Sequence, residues 1–263
     1  MEEASKPVIQ VRRLDLSYDD YPVMRDLNFS VNKGDIFVVM GPSGCGKTTL
    51  LKALIGLKEP AKGEILYDGV SFWGQDETAR QALMRRFGVL YQGGALWSSL
   101  TLGENVALPL QLYSKLSAGQ VKEMLELKLA LVGLSGYADF YPAQISGGMR
   151  KRAGLARAIA LDPDIIFFDE PSSGLDPLSG RLLDDLILQL RDTLGATIVV
   201  VTHELASIFA VGSNAVLLDA ESKTIIAAGS PRDLLADSRD PRVIQFLTRG
   251  EKTSLPSGRQ GAY

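Results

Sequence analysis

The run Gly41-Pro42-Ser43-Gly44-Cys45-Gly46-Lys47-Thr48-Thr49 constrains this chain more than any other feature. It fits G-x-x-x-x-G-K-[ST] and lies between a wholly apolar run, Ile36–Met40, and a helix-forming stretch, Thr48–Leu57, ended by Gly56 and Pro60. An uninterrupted apolar run of that length suits a strand buried on both faces. Glycines let the loop turn its N–H groups toward phosphate oxygens, and the helix N-terminus that follows adds its dipole. Lys47 is then expected at the β- and γ-phosphates, and the Thr48 hydroxyl at Mg²⁺. A Gly-rich turn without a ligand is the bland alternative, and the strand–loop–helix context argues against it. Cys45 reads as a small filler of the loop, although a thiol at a helix N-terminus can be reactive.

A second motif, Ile165-Ile166-Phe167-Phe168-Asp169-Glu170, is an apolar strand ending in two carboxylates. Buried strands of this kind present such groups at their C-terminal ends, facing the phosphate loop. Asp169 is the expected metal-associated carboxylate, acting through a water, and Glu170 is placed to orient or deprotonate an attacking water. Around these motifs the patterning predicts strands at Val8–Leu14 and Leu27–Val31, with turn material at Tyr18–Pro22. Further strands are predicted within Ala61–Phe72, turning at Gly63 and Asp68-Gly69. From Asn105 to Ala160 the pattern is mainly helical, with Lys122–Leu131 an amphipathic helix, and strands return at Thr197–Val201 and Ala215–Leu218. The layout is an α/β nucleotide-binding core interrupted by a helical block.

Length and charge narrow the function. A chain of 263 residues suits one large α/β domain. The 28 basic against 31 acidic residues leave no basic excess for a nucleic-acid partner. Cys45 is the only cysteine, so no intramolecular disulfide can form and a reducing compartment is expected. Apolar runs fall far short of the roughly 20 residues of a spanning helix. The start, M-E-E-A-S-K-P, lacks a secretory pattern. A cytoplasmic chain is expected, reaching any membrane through partners.

Between the two motifs lies Ile145-Ser146-Gly147-Gly148-Met149, opening the basic helical stretch Arg150–Ala160. This order resembles the ATP-binding cassette family from about Val8 to Ala228. The resemblance implies a P-loop NTPase fold: a RecA-like core, an antiparallel β subdomain and an inserted helical subdomain near 100–160, within a nucleotide-binding domain spanning 6–248. Residues 249–263 are read as a disordered tail. The resemblance also implies ATP and Mg²⁺ as cofactors and a head-to-tail dimer. In that dimer Ser146, Gly147 and Gly148 of one copy meet the γ-phosphate held by the other's Gly41–Thr49 loop. Tyr18 matches the aromatic that stacks on adenine. Gln92 matches the glutamine that touches Mg²⁺ and faces a membrane partner. Ser173-Gly174-Leu175-Asp176 matches the loop crossing the dimer seam, and His203, the only histidine, matches the γ-phosphate sensor. One departure is Met149, where the family usually has glutamine near the ribose; the serine and glycines that contact phosphate are intact.

Ser146-Gly147-Gly148-Met149-Arg150-Lys151-Arg152, Tyr91-Gln92-Gly93-Gly94-Ala95-Leu96-Trp97 and Asn105-Val106-Ala107-Leu108-Pro109 look like the corresponding stretches of Mla/Mce-type lipid-transport ATPases. The ending Asp240–Leu247 is also similar to theirs. What this implies is an integral-membrane permease, an Mce-domain lipid-binding protein, a small STAS-like regulator, and a place on the cytoplasmic face of the inner membrane. Ala95–Trp97 with Val106–Leu112 is either a permease-docking surface or ordinary packing, and Pro241–Leu247 docks either on a neighbouring subunit or on its own domain. Other functional classes remain: a cassette driving a mechanical or signalling membrane complex, or an importer of another small substrate. A soluble DNA-repair cassette would carry long heptad insertions, which are absent here.

Overall fold

A computed structural model describes residues 7–250. The tail expected at 249–263 therefore falls largely outside the described residues, at 251–263. In chain order, β1 (Pro7–Tyr18) and β2 (Tyr21–Asn32) form a hairpin, and β3 (Ile36–Met40) leads through the phosphate loop into α1 (Lys47–Leu54). Next come β4 (Lys62–Tyr67), β5 (Val70–Ser71), α2 (Glu77–Met84) and β6 (Phe87–Leu90). The helical block is α3 (Leu102–Tyr113), α4 (Ala118–Leu131), a 3₁₀ turn at Pro142–Gln144 and α5 (Gly147–Ala158). The chain ends through β7 (Ile165–Asp169), α6 (Pro177–Leu194), β8 (Thr197–Thr202), α7 (Leu205–Val211), β9 (Asn214–Asp219), β10 (Thr224–Gly229), α8 (Pro231–Asp237) and α9 (Pro241–Leu247).

Two sheets result. One is antiparallel, in the order β2-β1-β4-β5; the other runs β10-β9-β3-β8-β7-β6 and is parallel except for β10 at its edge. Both faces of the larger sheet are covered, which is why β3, β7 and β8 are buried at every position. Alternation sorts their side chains. Ile36, Val38, Met40, Ile166, Phe168, Ile198 and Val200 face a core shared with the helical block and α6. Phe37, Val39, Ile165, Phe167, Val199 and Val201 face a second core shared with α1 and the antiparallel sheet.

Local chemistry explains the helix starts. Thr101 and Glu104 form a reciprocal capping box on α3, Ser117 and Gln120 another on α4, and Asp176 caps α6 with Pro177 in its first turn. Several predicted bounds move. The first strand extends to Tyr18, because the hairpin turn is only Asp19-Asp20 and Tyr18 pairs with Tyr21. The helix expected at Thr48–Leu57 stops at Leu54, since Gly56 takes φ 82° and its N–H returns to Ala53 O. The helix expected at Lys122–Leu131 begins a turn earlier, at the Ser117 cap. Helix α9 places Val243 and Leu247 in the core of its own domain. Among the described residues, no helix is long and apolar enough to cross a membrane.

Candidate functional site

Parallel register aligns the ends of three neighbouring strands. Met40 at the end of β3 pairs with Thr202 on β8, and Asp169 at the end of β7 pairs with Val201. The phosphate loop, the Asp169-Glu170 pair and His203 therefore emerge side by side from segments far apart in sequence.

In the loop, Gly41 has φ 153° and a Cβ there would lie 2.6 Å from Leu218 O and 2.7 Å from Cys45 Sγ. Gly46 has φ 98° and precedes α1 without any side-chain cap, so the first N–H groups of that helix stay open to an anion. Lys47 is buried, and its Nζ donates to Gly41 O at 2.9 Å and Pro42 O at 3.1 Å and lies 3.5 Å from Glu170 Oε1. Pro42, Ser43, Gly44 and Thr48 are exposed on the loop, Thr49 is half-buried, and Cys45 is buried with its thiol pushed up by burial. That raised thiol matches the filler reading, because a reactive cysteine needs its thiolate form.

Thr48 Oγ1 donates to Asp169 Oδ1 at 3.4 Å. Burial, then the neighbouring Glu170 charge, raise the Asp169 carboxyl above the usual range, while Thr48 and Lys47 pull it down. Among the described residues, no three His, Cys, Asp or Glu side chains are grouped to enclose a metal. A hydroxyl and one carboxylate fit Mg²⁺, which takes few protein ligands and fills its shell with phosphate oxygens and water.

Glu170 is buried and holds φ 48°, a left-handed conformation unusual outside glycine. Its Oε1 lies 2.9 Å from His203 Nδ1, while Oε2 is buried and has no hydrogen-bond partner among the described residues. One oxygen is thus anchored by a histidine and a lysine, and the other can accept from a water. His203 is half-buried, with Glu204 Oε1 3.7 Å from Nε2. Gln92 is exposed and donates from Nε2 to Ser173 Oγ at 3.4 Å.

The remaining predicted residues make no hydrogen bond to this cluster among the described residues. Ser146 caps α5, accepting from Met149 N at 3.2 Å, with Gly147 in the exposed first turn and Gly148 beside Ser179. Asp176 accepts from Leu178 N and Ser179 N. Neither Ser146 nor Asp176 has a hydrogen bond to the phosphate loop among the described residues. Tyr18 is 47% exposed, and Lys58 Nζ sits 4.1 Å from its ring centroid, so one ring face already holds a cation.

Two groups of polar residues had no role assigned from the sequence. Lys151 Nζ donates to Glu170 O at 3.2 Å, and to Pro171 O and Ser173 O at 2.6 Å each. Ser207 Oγ donates to Asp184 Oδ2 at 3.0 Å and lies 3.1 Å from Ser172 Oγ. Lys151 stands within the Ser146–Arg152 stretch that carries the resemblance, whereas the only sequence signal for Asp184 and Ser207 is an isolated polar residue at a core-facing helical position.

The sequence pattern of the ABC transporter family matches residues 24–173. The chain is 41% identical over 244 residues to the Haemophilus influenzae intermembrane phospholipid transport system ATP-binding protein MlaF, covering 93% of this chain and 91% of that one. It is also 41% identical over 239 residues to the Mycobacterium tuberculosis probable ribonucleotide transport ATP-binding protein mkl, covering 91% of this chain and 66% of that one. Among solved structures, a dimeric post-hydrolysis state of the ATP-binding cassette MJ0796 bound to ADP and Pi superposes with a TM-score of 0.77 at 27% identity, covering 84% of this chain and 98% of that one.

Proposed function

Because this chain belongs to the ABC transporter family and is its ATP-binding, ATP-hydrolysing subunit, we propose that it drives phospholipid transport as a head-to-tail dimer beneath a membrane permease. The observation that carries the cargo is the similarity, along nearly the whole chain, to a subunit named for intermembrane phospholipid transport.

The site residues take the following roles. Gly41–Thr49 and the open N-terminus of α1 cradle the triphosphate, and Lys47 moves from Gly41 O and Pro42 O to the β- and γ-phosphates. Tyr18 stacks on adenine through the ring face opposite Lys58. Thr48, Gln92 and Asp169 would hold Mg²⁺, which neutralises phosphate charge when bound. Glu170 Oε2 accepts a proton as water oxygen bonds to the γ-phosphorus and the bond to the ADP oxygen breaks. His203 holds Glu170 Oε1 by Nδ1 and turns its Nε2 edge, 3.7 Å from Glu204 Oε1, to the γ-phosphate. Ser146, Gly147, Gly148 and Asp176 act on the partner copy's nucleotide, which fits the exposure of Ser146, Gly147 and Asp176 and the local hydrogen bonds of Ser146 and Asp176. ATP thus binds the closed pair better than the open one, and hydrolysis releases it.

A groove of about 640 Å³ supports the permease. It is lined by Met84, Arg85, Tyr91, Trp97, Leu112 and Arg157, among others. Trp97 and Leu112 are 60% and 62% exposed, whereas Val106 and Leu110 are core. The apolar stretch is therefore part surface and part packing. Gln92 adjoins this groove through Tyr91, so a permease helix seated there would sense the nucleotide site. We read 6–248 as one nucleotide-binding unit, with an Mce-domain protein and a STAS-like regulator as further partners at the cytoplasmic face of the inner membrane.

The test is affinity purification of the tagged chain from detergent-solubilised membranes, with mass spectrometry of bound proteins and lipids. A multi-span permease, an Mce-domain protein and co-purifying phospholipid are expected. A permease with nucleotide cargo instead would favour the second reading, suggested by the mycobacterial relative's name. Recovery without any membrane partner would overturn transport.

A further inference from the structure

We infer that Lys151 is a positioning residue: it ties the helix whose N-terminus meets the partner's ATP to the backbone that aims Glu170 at its own. The inference rests on the head-to-tail dimer proposed above.

Helix α5 begins with Gly147 and Gly148 in its first turn, and Lys151 stands one turn further along on its buried side. An ammonium has three N–H donors. Those of Lys151 are matched by three main-chain carbonyls, of Glu170, Pro171 and Ser173, all in the loop that leaves β7. The group is 6% exposed, and burial pulls its pKa below the ordinary lysine value while the Glu170 charge supports it. Burying an ammonium is costly, so a group placed here must make bonds that a neutral side chain would not. Charge-assisted bonds to three carbonyls within four residues fix that loop more tightly than packing alone.

The fixed point matters because Glu170 is strained. A glutamate at φ 48° persists only where its surroundings over-determine it. Its N–H donates to Val201 O at 2.8 Å, and its carbonyl accepts from Lys151 and from Ser173 N. The peptide groups on both sides of the strained residue are therefore pinned, one by β8 and the other by α5 together with Ser173 N. Release of the carbonyl side would let φ relax and swing the carboxylate from His203 and Lys47. Lys151 touches no phosphate-loop residue in its hydrogen bonds, so nucleotide binding within the same chain does not depend on it. When the N-terminus of α5 closes on the partner's nucleotide, the same helix sets Glu170 for its own.

The experiment uses the full chain with Lys151→Met, Lys151→Arg, and Glu170→Gln with and without Lys151→Met. Fluorescent-nucleotide titration, steady-state hydrolysis and ATP-dependent size exclusion are measured. Lys151→Met is expected to keep nucleotide Kd within about twofold and KM within about threefold while kcat falls at least about tenfold. Lys151→Arg, which restores charge and donors, is expected to recover at least about a third of kcat. ATP-driven dimerisation of Glu170→Gln is expected to survive the added Lys151→Met. Near-normal kcat in Lys151→Met would overturn the inference. So would a loss of kcat accompanied by equal loss of nucleotide affinity and of folding, with Lys151→Arg no better. Failure of Glu170→Gln itself to dimerise with ATP would instead remove the dimer reading, and Lys151's role with it.

Discussion

Replacing Asp184 by asparagine should stabilise this chain at neutral pH and do little near pH 4. Asp184 lies on the buried side of α6, only 6% exposed. Its Oδ2 accepts from Ser207, but Oδ1 is buried without a partner among the described residues. Burial raises its pKa from 3.8 to about 6, with Ser207 pulling it down and Asp185 pushing it up. A carboxyl raised in the folded state favours folding only while protonated. Its contribution is complete below about 3.8 and is lost as pH rises through about 6. At about 1.36 kcal/mol per pKa unit, the loss has a ceiling of about 3 kcal/mol. Roughly half of that falls between pH 5 and pH 8. Asparagine keeps the acceptor for Ser207 and cannot ionise. Urea unfolding of both proteins at pH 4, 5, 6, 7 and 8 checks this, comparing extrapolated stabilities. The asparagine variant should gain on the parent with rising pH and level off above about pH 7. Parallel curves across the whole range would refute the reasoning, because they would mean that Asp184 stays ionised or reaches water.

Three further outcomes are expected. Glu170→Gln should retain ATP and trap a dimer while turnover falls at least about a hundredfold; substantial residual hydrolysis would remove Glu170 as the base. His203→Ala should slow kcat about tenfold or more with nucleotide affinity largely kept, because it frees Oε1 of Glu170; normal kcat would return the histidine to a structural role. Met149→Gln should leave hydrolysis within about threefold, since the Ser146, Gly147 and Gly148 contacts do not involve that side chain; complete loss of ATPase would contradict this.

Much of the site was legible because its chemistry is local. A phosphate cradle needs glycine at positions such as Gly41 and Gly46, where φ and clearance exclude a Cβ, and those glycines must be consecutive in the chain with Lys47 and Thr48. The apolar strand Ile165–Phe168 announces a buried element whose end carries Asp169 and Glu170. Shorter elements escaped notice. Strand β6 is only Phe87–Leu90 and contains Gly88, whose missing Cβ lets Ala158 O approach; a run so short has no period to read. Helix α6 is not among the predicted elements despite its Asp176-Pro177 start and Gly195 end, because Asp176 serves the same stretch as a candidate seam residue and as a cap.

The amino-acid sequence therefore carried the phosphate loop, the strand tipped with two carboxylates and the family resemblance that implies ATP and its hydrolysis, since contiguous backbone builds each motif. The tertiary structure decided what joins them. Register in the parallel sheet set Met40, Asp169 and Thr202 at the same end of neighbouring strands, bringing His203 to Glu170, 33 positions earlier. Lys151 found carbonyls about 20 residues away, and Asp184 reached Ser172 only through Ser207. Main-chain carbonyls and single hydroxyls have no sequence pattern of their own, so such partners exist only once the helices have packed.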